Sequence, residues 1–362
     1  MKHLLIILLL LCNIHSKAQD CNKEQLKTLE GKWLPQPGDA VGGNYRRPST
    51  AEIAGAKKTL AKIKQFFQEK YRPVGMDTYH HYHFLAEEST DKNIYGNSSV
   101  YTIRNFLFHC VKGKKETSEE GLGSYVHINP VDLLKFSSIP VLNEYGKVNE
   151  MPGFHALTSS QCPNGKLPDF SEGYYILETI SSYIVFITHK GKQPFRYVSR
   201  KEFLEKQIAI CEANLKDLNK HYTSKTWKEQ LEMFPQFREK MLKDSKEHLA
   251  MYERPINAYK EDLKKDAAWL NEMSIVQQVS VKDPKTNQHQ YSRFDFTSLK
   301  DPYNNFFVPI MPNPDYYNRK LPKWEPQFIV IDIREHNSFI SKEVRKVVEK
   351  NIDFFRGLVK SE

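Results

Sequence analysis

The chain has 362 residues, a formal charge of +9 from 53 Lys and Arg against 44 Asp and Glu, and a 40% share of hydrophobic residues. That apolar share excludes a disordered polyelectrolyte, and the length is enough for one large domain or two ordinary ones. The basic excess is small, and lysines alternate with glutamates from Lys201 to Lys265, which describes a solvated mixed surface rather than a nucleic-acid footprint.

The N-terminal stretch "MKHLLIILLLLCNIHSKAQ" combines the basic Lys2, an apolar run from Leu4 to Leu11, and a polar region ending Ser16-Lys17-Ala18. This pattern predicts a secretory signal peptide over residues 1–18, cleaved after Ala18. The apolar run is less than half the roughly 20 residues that a membrane-spanning helix needs. Cys12 would suit a lipoprotein, but Leu10 and Leu11 stand where small residues belong. No later run is long and apolar enough to span a membrane. Losing Lys2 and Lys17 lowers the charge to +7. An exported chain is not expected to meet nucleic acid; an anionic glycan or membrane surface, or a protein, is the partner expected.

Ser49-x-x-Glu52 forms a capping box, and Ile53, Ala56, Leu60, Ile63 and Phe67 recur at helical spacing, so a helix is predicted over Ser49 to Lys70. From Thr78 to about Gly191 the pattern becomes strand-like: "TYHHYHFLAE", "VYTIRNFLFHCV", "SYVHI", "YYILET" and "SYIVFITHKG", separated by turn residues. Ser199-x-x-Glu202 then opens a helical seam through Leu204, Ile208, Cys211, Leu215, Leu218 and Tyr222. Pro235 is placed to split the following helix, and a further helix is expected beyond Pro255. Four more strands, "SIVQQVSV", "QYSRFDF", "NFFVPIM" and "QFIVIDIRE", precede an amphipathic helix from Ser341 to Lys360. The expected fold is α+β: a mostly antiparallel sheet with flanking helices and a long helical, hairpin-like insertion. Residues 19–198 form a β-rich region, 199–274 the insertion, and 275–362 complete the same α+β unit.

The stretch "DTYHHYHF" carries the most specific chemical cue. On a strand, His81 and His83 share a face and supply two zinc ligands, with His109 or His127 as the third. The same alternation describes an ordinary amphipathic strand, which is the preferred reading, so the absence of a cofactor is expected ahead of zinc. Four cysteines follow the signal peptide. Cys21, Cys110, Cys162 and Cys211 are candidate disulfide partners in an oxidising compartment, in pairings left open. Cys162, in "SSQCPNGK", could also be a nucleophile if His155 or another histidine serves as its base, although a bridged or inert thiol is preferred. Tyr303, Tyr316, Tyr317 and Trp324, set among Asn and Asp, have the composition of a glycan-stacking surface. The chain has no HExxH, no G-x-S-x-G elbow, no phosphate-binding glycine loop and no dinucleotide fingerprint.

The ending "SKAQ", the strand-to-helix step "YVSRKEFLE" and the segment "NPDYYNRKLPKWEPQFIVI" together resemble uncharacterised exported proteins of Bacteroidota. The resemblance implies an extracytoplasmic destination and no activity. The function expected is that of an exported binding or interaction protein; the alternative is a metal-dependent hydrolase centred on His81 and His83.

Overall fold

A computed structural model describes residues 22–35, 38–42, 48–85, 95–130, 137–142, 148–287, 289–303 and 305–360. The signal segment and Cys21 lie outside the described residues. In chain order the elements are α1 (Lys23–Leu26), β1 (Ala40–Gly42), α2 (Thr50–Lys70), β2 (Met76–Leu85), β3 (Ser99–Val111), β4 (Lys114–Thr117), β5 (Leu122–Ile128), β6 (Ser137–Leu142) and β7 (Val148–Thr158). They continue with β8 (Tyr174–Glu178), β9 (Ser182–Ile187), β10 (Phe195–Tyr197), α3 (Arg200–Tyr222), α4 (Lys225–Met233), α5 (Arg238–Asp262) and α6 (Ala267–Asn271). The last are β11 (Val276–Lys282), β12 (His289–Phe296), β13 (Phe307–Pro312), β14 (Ile329–Arg334), α7 (Phe339–Glu349) and α8 (Ile352–Arg356). The fold is α+β with mostly antiparallel sheets, as the sequence predicts.

Two units divide these elements. The first comprises Met1–Leu134, Asp169–Pro194 and Pro314–Glu362, the second Lys135–Pro168 and Phe195–Asn313. Residues 275–362 therefore do not act as one block: β11 to β13 belong to the second unit, and β14 with the C-terminal helices belongs to the first.

The first unit is built on a sheet of order β1-β2-β3-β5-β14-β9-β8, with β4 paired to β3. Its strands are antiparallel neighbours except β1 and β2, which run parallel. Alternation along each strand sends Tyr82 and Phe84, Tyr101 and Ile103, Val126 and Ile128, Val185 and Ile187, and Ile329, Ile331 and Ile333 into one buried cluster. Helix α2 covers this face with Leu60, Ile63, Phe66 and Phe67, and α7 and α8 add Val344, Val348 and Phe355. Phe66 stacks on Phe354 with ring centroids 4.2 Å apart, and Phe67 stacks on Tyr101 at 5.7 Å. The start of α2 is fixed as expected: Ser49 Oγ accepts from the Glu52 amide, and the Glu52 carboxylate accepts from the Ser49 amide. Gly55 lets the Trp324 indole lie directly on this helix, because a Cβ there would stand 2.4 Å from the ring.

The C-terminal helix is not continuous. It breaks at Asn351, whose side-chain amide donates to the Val347 carbonyl at 2.7 Å, satisfying an acceptor that the interrupted helix leaves open.

The second unit holds a sheet of order β12-β11-β13-β7-β6, with β10 paired to β13. Its helices α3 and α5 pack through Leu204, Ile208, Ile256 and Tyr259, with Cys211 and Leu215 extending the seam. Pro235 starts a short 3-10 turn between α4 and α5, where the sequence places a split. Pro255, by contrast, lies inside α5. A proline there forfeits one backbone hydrogen bond, and burial of the adjacent Ile256 and Tyr259 holds the helix through it. Beyond the seam, Met233, Phe234, Phe237 and Leu242 are exposed around the α4–α5 turn. No helix among the described residues is long and apolar enough to cross a membrane.

Leu60 is fully buried between α2 and the sheet. Leu60→Ala is expected to destabilise the first unit by about 2–5 kcal/mol, read from the midpoint of chemical denaturation.

Candidate functional site

The pleat of β2 puts His80 on the core face and His81 and His83 on the other face. His81 and His83 meet edge to face with ring centroids 4.6 Å apart. His127 shares their face: His83 pairs with Val100, which pairs with His127. Two strand spacings therefore separate them, about 10 Å. His127 stacks instead on Tyr125, at 5.8 Å. His109 has the opposite parity on β3 and lies exposed, opposite Glu116 in the β3–β4 pair. Among the described residues no group of three or more His, Cys, Asp or Glu side chains is placed to hold a metal ion. Burial lowers the pKa of His81, and the neighbouring His83 and Arg104 add to the effect. The histidine pair lies beside Tyr79 and Phe106, whose rings stack at 5.2 Å, on the outer face of the strand.

The aromatic residues singled out by composition separate by burial. Tyr316 and Tyr317 are 2% and 5% exposed, which removes both from any ring-stacking surface. The Tyr316 hydroxyl donates to the Gln327 carbonyl at 2.7 Å and accepts from the His189 amide at 3.3 Å. Trp324 packs against the first unit's core. Tyr303 alone of the four is exposed, and it belongs to the second unit. The rings of Tyr316, Tyr317 and Trp324 thus pack inward within the first unit, whereas Tyr303 is displayed.

The cysteines also divide. Cys110 is disulfide-bonded, whereas Cys162 and Cys211 are free, so neither of the latter is a bridge partner. Burial pushes the Cys162 thiol up to about 11 and the Cys211 thiol up to about 12, the latter with help from the Glu212 charge. Neither has the low-pKa character that a nucleophile requires.

What the structure does assemble is a cationic cleft in the first unit. Lys190, Lys192 and Arg356 line a volume of about 540 Å³ together with Thr188, His189 and Asp353. The turn that carries the lysines is clamped. The Thr188 amide donates to the Gly173 carbonyl at 2.9 Å, the Gly191 amide to Phe170 at 3.2 Å, and the Lys192 amide to His189 at 3.1 Å. Gly191 takes φ +68°, the left-handed region that glycine enters without steric cost and that reverses the chain here.

His189 is 7% exposed, its ring lies 4.8 Å from that of Tyr316, and its Nε2 is buried without a hydrogen-bond partner. Burial, helped by the charge of Lys192, lowers its pKa to about 4, so the imidazole is neutral at pH 7. Arg356 pairs with Asp353 at 2.7 Å on α8. Lys190 approaches Glu172 at 3.7 Å, but both side chains are about two-thirds exposed, and such a pair holds its charges weakly. The lining thus keeps more positive than negative charge on a rigid turn, the requirement for an oxyanion site.

Sequence reasoning takes "SYIVFITHKG" as a strand and its turn. The available signal is the cluster Thr188-His189-Lys190-Gly191-Lys192, a basic turn around a glycine; the partner Arg356 lies far away in sequence. Protein-family models, curated proteins and solved structures give no match to this chain.

A pH effect on stability follows from His80, which is 3% exposed among Trp33, Tyr82 and Tyr101. Burial, reinforced by the charges of Lys64 and His81, lowers its pKa from 6.5 to about 4. The unfolded chain takes up this proton first, so the contribution is complete above pH 6.5 and is lost as pH falls towards 4, by up to about 3 kcal/mol. Denaturation midpoints measured from pH 7 to pH 4 should fall for the parent and fall less steeply for His80→Leu.

Proposed function

We propose that this chain is an exported binding protein whose first unit takes an oxyanion. The ligand class is the carboxylate, sulfate or phosphate group of an acidic small molecule or glycan. The observation that carries this reading is the clamped turn that sets Lys190 and Lys192 beside His189 and Arg356 in one cleft. Two flexible ammonium groups and a guanidinium offer multiple donors to an anion, and a neutral imidazole next to them offers one more. Export rests on the charged start, short apolar run and small residues at Ser16 and Ala18. The resemblance to exported Bacteroidota proteins points the same way. The described lining is dominated by donors and positive charge, and binding is the activity proposed.

Titration calorimetry of the mature protein with inorganic phosphate, sulfate and glucuronate tests the binding. At least one anion should bind, more weakly at higher ionic strength. Lys190→Gln with Lys192→Gln should weaken it about tenfold or more while leaving the melting temperature unchanged, since both side chains are surface-borne. No heat with any of the three, or unchanged affinity in the double variant, refutes the reading. N-terminal sequencing of the native protein should begin at Gln19; a chain retaining Lys2 or carrying an acylated Cys12 would contradict export by signal cleavage.

A further inference from the structure

The second unit contains a separate cleft of about 400 Å³, built where α3 begins, α5 ends and α6 faces the edge strand β12. Arg200 enters from the first turn of α3. Its guanidinium lies 4.6 Å from the Trp269 ring centroid and 5.4 Å from that of Phe296. One Nη meets Glu272 at 2.8 Å, and the Arg200 amide donates to the Glu272 carbonyl at 2.9 Å, so the side chain is held at both ends. Its Nε, by contrast, is buried without an acceptor. Lys265 lies 4.0 Å from the Trp269 centroid and pairs with Asp262 at 2.7 Å. On β12, Arg293 and Asp295 share a face and pair at 2.7 Å.

The lining therefore interleaves three cations with two carboxylates around two aromatic rings. A purely anionic ligand meets Asp262 and Asp295, a purely cationic one meets Arg200, Lys265 and Arg293, and an apolar one must strip water from all five charges. A ligand carrying both signs close together, with an apolar group beside them, meets a complement at every point. The arginine fork suits a carboxylate, and a carboxylate suits an ammonium. The volume is at the small end of ligand sites.

We propose that this cleft binds a zwitterionic small molecule with an apolar side chain, the pattern of a free α-amino acid. Its carboxylate faces Arg200, its ammonium faces Asp262 and Asp295, and its side chain lies against Phe296 and Trp269. The proposal uses no residue of the oxyanion cleft and stands or falls without it.

The test is titration calorimetry of the mature protein with L-phenylalanine and L-leucine, then with N-acetyl-L-phenylalanine and L-phenylalaninamide, which remove one charge each. At least one free amino acid should bind, and both blocked forms should bind about tenfold more weakly or worse. Asp295→Asn, at a partly exposed edge-strand position, should lose about tenfold in affinity with the melting temperature retained. Should that variant fail to fold, Asp262→Asn provides the same measurement. An absence of heat with both free amino acids overturns the proposal. So does equal binding of either blocked form, which would show that one of the two charges is not read, and so does parent-like affinity in the folded variant.

Discussion

Period-two alternation under a helical cover is the constraint on which the first unit depends. Strands β2, β3, β5, β9 and β14 of the large sheet each send alternate residues to one face, where α2, α7 and α8 close over Tyr101, Val185 and Ile331. The opposite set is then free to carry imidazoles, hydroxyls and charges. His80 and His81, adjacent in sequence, end in different environments for this reason alone. His80 lies among the core rings, and His81 stands beside His83 on the polar side.

The two clefts share a logic although their chemistry differs. In each, the backbone is fixed before the charges are presented. The turn through Gly191 is tied by three amide bonds to its neighbours, and Arg200 is tied to Glu272 by both backbone and side chain. Preorganised charge loses less freedom on meeting a ligand than charge on a mobile loop. The clefts differ in the sign balance of their linings, and this separates the ligands proposed for them.

Local features were legible in the sequence, and long-range ones were not. The capping boxes at Ser49 and Ser199 announce the starts of α2 and α3 because a hydroxyl and a carboxylate three residues apart satisfy amides that no other partner reaches. The alternation in "TYHHYHFLAE" likewise fixes which histidines share a face. Which strand lies beside which is a different matter. The pairings of β14 with β5 and β9 join residues 142 to 209 positions apart, an order of separation that period and propensity do not encode. The burial of Tyr316 and Tyr317 was hidden for the same reason: composition describes what a ring can do, and only the fold says whether solvent reaches it. The basic turn at Lys190 and Lys192 was visible as sequence, but Arg356, which completes the cleft, comes from a helix near the other end of the chain.

The placement of β14 also sets an order of events. The chain leaves the first unit after Leu134 and again after Pro194, and returns for the last time only at Pro314. Strands β5 and β9 are therefore synthesised long before the strand that pairs with both of them. Until Ile329–Arg334 arrives, each presents an open apolar edge, and open edges recruit strands from other chains. A chain that ends between Ile187 and Ile329 carries both of these edges without the strand that pairs with them. In the second unit β7 waits in the same way for β13, whose Phe307 and Ile310 pair with Thr158 and His155. The large sheet is thus closed late in the chain, where one six-residue strand turns two half-sheets into one.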